Sequence, residues 1–110
     1  MKVGIIRCMQ TEDYCPGTTD FKMIKNRQGA FEKVSEEIEI IGMISCGGCP
    51  GKKAVLRAKE MIERGADTIA FASCIQKGTP IGFACPFAKK MRESVVNNVG
   101  SEIVILDYTH

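Results

Sequence analysis

No run in the 110 residues approaches the ~20 consecutive apolar positions that a helix needs to cross a bilayer. Met1-Lys2 leads directly into Val3-Gly4-Ile5-Ile6, which is too short for a signal-peptide core and has no small-residue cleavage site behind it. A cytoplasmic, reducing location is therefore expected. An excess of one charge sign is also missing: 15 basic side chains face 13 acidic ones, for a net charge of +2 and a pI near 8.2. The two signs are interspersed, so there is no basic stripe to hold a phosphate backbone, and neither nucleic acid nor a membrane is an expected partner. Histidine occurs once and C-x-x-C once, so the paired knuckles of a local zinc module are lacking.

What is present is close to the globular average, with 45% hydrophobic and 25% charged residues, and the length suits one domain spanning 1–110. Six cysteines are the outlier. In a secreted chain an even count would suggest a disulfide framework, but in a reducing compartment clustered thiols point to metal or catalysis.

Hydrophobic periodicity supplies the frame. Continuous apolar runs of strand length cover 2–7, 38–45, 68–73 and 102–106, as expected of strands buried on both faces of a parallel sheet. Helical spacing predicts helices over 29–36 (Ala30, Phe31, Val34), 51–64 (Val55, Ala58, Met61, Ile62) and 86–97 (Ala88, Met91, Val95). The segments 10–27 and 76–84 then remain as long loops. A β-α-β-α-β-α-β order with right-handed crossovers predicts an α/β fold, a three-layer α/β/α sandwich. Its core is a small four-stranded doubly wound parallel sheet in order 2-1-3-4. Such a sheet has two edges, each open to a symmetric partner, so a homodimer is one expected assembly.

On this scheme every cysteine falls at the carboxyl end of a strand. Cys8 and Cys15 follow the first strand, Cys46 and Cys49 the second, and Cys74 and Cys85 the third; His110 emerges beyond the fourth. Parallel strands bring all these connections to one edge, where open α/β sheets place their ligands. Thiols dispersed through a core would only pack, whereas thiols gathered at one edge can form a site.

The segment Cys46-Gly47-Gly48-Cys49-Pro50-Gly51 is expected to turn from strand into helix, with Pro50 at the first helical position and Cys49 as its cap. The helix dipole would then favour the Cys49 thiolate. Cys85-Pro86 repeats the device at the third helix, and Arg7 beside Cys8 is a further thiolate-stabilising cation. Lys52, Lys53, Arg57 and Lys59 read as a solvated helix face. Thiolates bind borderline and soft metals, so a zinc site, an iron–sulfur cluster and a thiol–disulfide centre using Cys46 and Cys49 are all compatible with this set. Phosphate-loop readings fail: Cys46 stands where a Walker glycine is needed, and Lys52 where a C-x₅-R loop needs arginine.

Four segments in this order resemble the CGGC-domain family: Ile6-Arg7-Cys8, Ser45-Cys46-Gly47-Gly48-Cys49-Pro50-Gly51-Lys52-Lys53, Ala72-Ser73-Cys74 and Pro80-Ile81-Gly82-Phe83-Ala84-Cys85-Pro86. The resemblance extends over the whole chain and implies a small metal-binding domain, with zinc held by cysteines and histidines. By position it carries the family's ligands onto Cys8, Cys46, Cys49, Cys74 and Cys85, with His110 in the closing segment. Family members often add histidines near the fourth of these cysteines, whereas Ile75, Gln76 and Lys77 follow Cys74 here. That departure favours thiolate ligation, with Cys8, Cys46, Cys49 and Cys74 as the primary set and Cys85, Cys15 and His110 as additional or exchangeable ligands.

Overall fold

Val3, Ile5 and Ile6 are wholly buried because the first strand, β1 (Lys2–Arg7), forms the middle of a sheet whose neighbours cover it on both sides. A computed structural model describes residues 1–110. β2 (Glu39–Ser45) and β3 (Thr68–Phe71) flank β1, and β4 (Val104–Leu106) lies outside β3. All three pairings are parallel, in the expected order 2-1-3-4.

Two long helices cover one face. The helix α2 (Ala54–Glu63) presents Ala54, Ala58 and Met61, and packs on β1, β2 and the helix α4 (Ala88–Val99). Gly4 and Gly42 are register partners beneath it, and a Cβ at Gly4 would sit 2.7 Å from the Met61 sulfur. Side chains alternate along a strand, so Met43 points to the opposite face. There its methyl would lie 2.8 Å from a Cβ at Gly17, just before the helix α1 (Thr18–Asn26). The sheet is thus flanked on both sides. The remaining helix, α3 (Ser73–Gln76), is a single turn at the end of β3. No helix is long and apolar enough to cross a membrane.

Several expected elements fall elsewhere. The outer strands are not buried on both faces: Ile40 on β2 is 40% exposed and Val104 on β4 is 50% exposed, because each has a neighbour on one side only. The segment 10–27, expected as a loop, contains α1. The segment 29–36, expected as a helix, holds only a 3₁₀ turn at Gly29–Phe31. Arg27 ends α1 in the left-handed conformation (φ 52°), and its guanidinium takes the Val34 and Glu36 carbonyls at 2.6 and 2.7 Å. These contacts tie the chain beyond the 3₁₀ turn back to the end of α1, on the path that leads into β2. The helices expected at 51 and 86 begin at Ala54 and Ala88.

Candidate functional site

The backbone brings the strand ends together before any side chain is considered. Cys46 donates its N–H to the Arg7 carbonyl at 2.7 Å, and Ala72 donates to Ile6 at 2.9 Å, so the ladder continues to the residues bearing thiols. The Cys8 N–H then donates to the Cys74 sulfur at 3.2 Å. All six cysteines are free thiols.

Between Cys46 and α2 the chain makes a tight turn. Gly51 donates to the Gly48 carbonyl at 2.7 Å, and Gly47, Gly48 and Gly51 all have positive φ, a conformation that glycine alone adopts without strain. Helical geometry therefore cannot begin before this turn ends, and Lys53, not Cys49, precedes the first residue of α2. The expected cap at Cys49 and the dipole argument built on it fall with that observation. At the third helix, likewise, Phe87 and not Cys85 occupies the cap position, and Phe87 donates its N–H to the Cys85 sulfur at 3.4 Å.

Arg57, read from sequence as part of a solvated face, turns inward. Its guanidinium donates to the Ser45 hydroxyl at 2.9 Å and the Ser45 carbonyl at 3.1 Å, and that hydroxyl accepts from the Gly47 N–H at 3.2 Å. The strand end carrying Cys46 is thus tied to α2 by one charged side chain. Arg7 acts similarly in the first loop, donating to the Cys15 carbonyl at 2.5 Å.

The cysteines separate into two groups. Cys8, Cys49 and Cys85 line a cavity of about 180 Å³ whose remaining wall is Ile81, Phe83, Pro86 and the Gln10 side of the first loop. Burial pushes the Cys85 thiol up from its ordinary value, the Phe87 N–H opposes this, and charge on Cys49, Cys8 or Cys46 would push it further. Burial also raises the Cys74 thiol, against hydrogen bonds from the Cys8 N–H and the Thr11 hydroxyl, with Cys8 and Asp20 adding repulsion. Cys74 thus adjoins Cys8 through the Cys8 N–H, and Cys46 opens the turn that carries Cys49. Cys15 and His110 instead line a separate cavity of about 180 Å³ with Tyr14, Thr79 and Pro80. No three Cys, His, Asp or Glu side chains stand as a preformed metal cage.

A second network, missed by the motif reading, supports this edge. Asp20 is only 3% exposed; it accepts a hydrogen bond from the Thr109 hydroxyl, and His110 Nε2 is 3.8 Å away. The Ser73 N–H donates to Thr109 Oγ1 at 3.2 Å, and the Ser73 hydroxyl donates to the His110 carbonyl at 3.0 Å. The closing segment is thereby pinned against α1 and α3, beside Cys74. A lone aspartate in a predicted loop gave no spacing by which to single it out.

The wall over the first cavity is a closed loop. Gly82 and Phe83 donate to the Gly78 carbonyl at 2.6 and 3.2 Å, and the Cys85 N–H donates to Ile75 at 2.9 Å. Gly78 has φ +80°, and a Cβ there would collide with the backbone of Phe83 and Ala84, so glycine is required.

The chain is similar to known sequences over its full length. It is 34% identical over 122 aligned positions to an uncharacterized protein of Methanocaldococcus jannaschii, covering 100% of this chain and 87% of that protein. A second uncharacterized protein of the same organism is 33% identical over 66 positions, which is 59% of this chain and 94% of that one. No solved structure matches. The sequence profile described as the CGGC domain matches residues 2–110, and the chain therefore belongs to the CGGC-domain family.

Proposed function

We propose that this domain binds a thiophilic metal ion, zinc foremost, through cysteines at the carboxyl edge of the sheet. The observation that carries this reading is the gathering of Cys8, Cys49 and Cys85, from three different strand ends, around one cavity, with the Cys74 sulfur held by the Cys8 N–H. The donor set suits zinc, cadmium or an iron–sulfur cluster, since thiolate sulfur is the common ligand of all three. Cys8, Cys46, Cys49 and Cys85 would hold the ion, with Cys74 behind Cys8; Cys15 and His110, in their own cavity, are left out of the set. Because no cage is preformed, binding must draw the thiols inward, and the glycine turn at 47–51 is the element able to follow. A closed four-thiolate zinc site leaves no position for water, so the metal would serve as a structural clamp.

Titration of anaerobically purified protein with Cd²⁺ and Zn²⁺ tests this. A sulfur-to-cadmium absorption band saturating at a fixed metal-to-protein ratio, lost in Cys46→Ser and Cys49→Ser, is expected. Visible absorption of the purified protein would assign the site to iron–sulfur, and absence of any band or thermal shift would refute metal binding.

One observation favours a second reading, a thiol–disulfide centre: Cys49 is exposed while Cys46 is buried. An exposed attacking thiol beside a buried partner suits disulfide exchange. A reversible Cys46–Cys49 disulfide with a potential in the cytosolic range, in protein that takes up no metal, is its signature.

A further inference from the structure

The cavity lined by Cys8, Cys49 and Cys85 is wider than a single ion requires. Its volume is about 180 Å³, whereas one water occupies roughly 30 Å³ of liquid and an apolar cavity near 150 Å³ holds a benzene ring. Its lining is of two kinds, the thiols of Cys8, Cys49 and Cys85 and the apolar side chains of Ile81, Phe83 and Pro86. Phe83 and Ile81 are 67% and 45% exposed, so the loop presents apolar surface to solvent beside the thiols. That exposure costs free energy unless something apolar covers it. The closed 78–83 loop fixes both side chains there, through the Gly78 carbonyl that binds Gly82 and Phe83. A hydrated inorganic ion would leave this wall wet. A ligand with one thiophilic atom and one apolar group would satisfy both kinds of lining at once.

We infer that the cavity accepts a trivalent metalloid carrying one hydrophobic organic group, with the metalloid bound by Cys49 and Cys85 and the organic group laid against Ile81, Phe83 and Pro86. The inference rests on the thiol-ligation reading above and names the ligand class of that same site. For an aryl arsenic(III) dihydroxide, two As–S bonds form and two As–O bonds break. Each oxygen leaves as water with one thiol proton, and arsenic stays trivalent, so nothing is oxidised or reduced. An inorganic arsenic(III) ion would have to draw in a third thiolate in place of the organic group, and would leave Ile81 and Phe83 uncovered.

The test compares phenylarsine oxide with sodium arsenite, each titrated into reduced protein against a fixed concentration of competing dithiothreitol and read by intact mass. Zn²⁺ binding is followed in parallel. The variants are Phe83→Ala combined with Ile81→Ala, which are exposed and leave every thiol in place, and Cys49→Ser combined with Cys85→Ser. Wild type is expected to prefer the phenyl compound. The alanine pair should lower phenylarsine oxide affinity about tenfold while leaving arsenite and Zn²⁺ unchanged, and the serine pair should abolish uptake. Equal affinities for the two arsenicals, or a phenyl preference untouched by the alanine pair, would overturn the inference while Zn²⁺ binding stood. A phenyl preference lost in the alanine pair, in protein that binds no Zn²⁺, would support the inference and refute the metal reading alone.

Discussion

At the residue scale, the six thiols differ in what surrounds each of them. The thiolate is the reactive form, and burial raises the Cys74 and Cys85 thiols, whereas Cys49 stands in solvent on its turn. Limited iodoacetamide treatment of the metal-free protein near neutral pH, mapped by peptide mass, should label Cys49 first. Cys85 should follow more slowly and Cys74 should be last; early labelling of Cys74 would contradict the burial described. The positions of the cysteines were legible in the sequence because parallel strands send all their carboxyl ends to one edge. Their grouping was not, because it depends on which loops fold back. Cys15 looks equivalent to Cys8 along the chain, yet Arg7 holds its carbonyl while its cavity opens towards His110. Arg57 was misread for a related reason: a helix face that is polar in sequence still has a side turned towards the end of β2.

At the element scale, the strands could be read and the short helices could not. β1 and β3 are buried on both faces and their apolar runs follow directly from that, as the pattern of continuous hydrophobic residues requires. The helix α1 offers only Phe21, Met23 and Ile24 as apolar residues, and Asp20 faces inward to meet the closing segment, which weakens its stripe. The 29–36 segment has a better stripe, yet it stops after one 3₁₀ turn, and the chain beyond is tied to Arg27 on its way to β2. The pairing of Asp20 with Thr109 ties the first helix to the last residues, and Thr109→Val tests its worth at nearly constant volume. The substitution removes both the hydroxyl donor of a buried carboxylate and the acceptor of the Ser73 N–H, at about 1–3 kcal/mol for each group left unpaired. Denaturant unfolding should show this loss with an unchanged m value. A variant as stable as wild type would mean that His110 alone satisfies Asp20.

At the scale of the whole molecule, the same thiols make stability depend on pH in opposite senses with and without metal. In the metal-free protein the folded state holds the Cys74 and Cys85 protons more tightly than the unfolded chain does. The stability they contribute is therefore complete below the unfolded thiol value of about 8.5 and is lost as pH rises through the raised folded values. Metal ligation releases the protons of its ligands, Cys85 among them, so the metal-stabilised increment grows with pH over the same window. Thermal unfolding between pH 7 and pH 10 should show a falling Tm for the metal-free protein. The slope should be shallower in Cys74→Ser combined with Cys85→Ser, and the gap between metal-loaded and metal-free protein should widen. Parallel slopes for wild type and the double variant would remove these two thiols from the account.

The central place of β1 has one more consequence, for the order of events during synthesis. Within this domain the strand made first is the one that needs neighbours on both sides, and its partners in the sheet begin at Glu39 and Thr68. Until β3 has emerged, β1 has at most one side covered, and Cys8 has no Cys74 beside it. A domain synthesised only as far as α2 therefore carries four unshielded thiols, Cys8, Cys15, Cys46 and Cys49, on an unfinished sheet, and any metal or oxidant it meets acts on an arrangement that the finished domain does not contain.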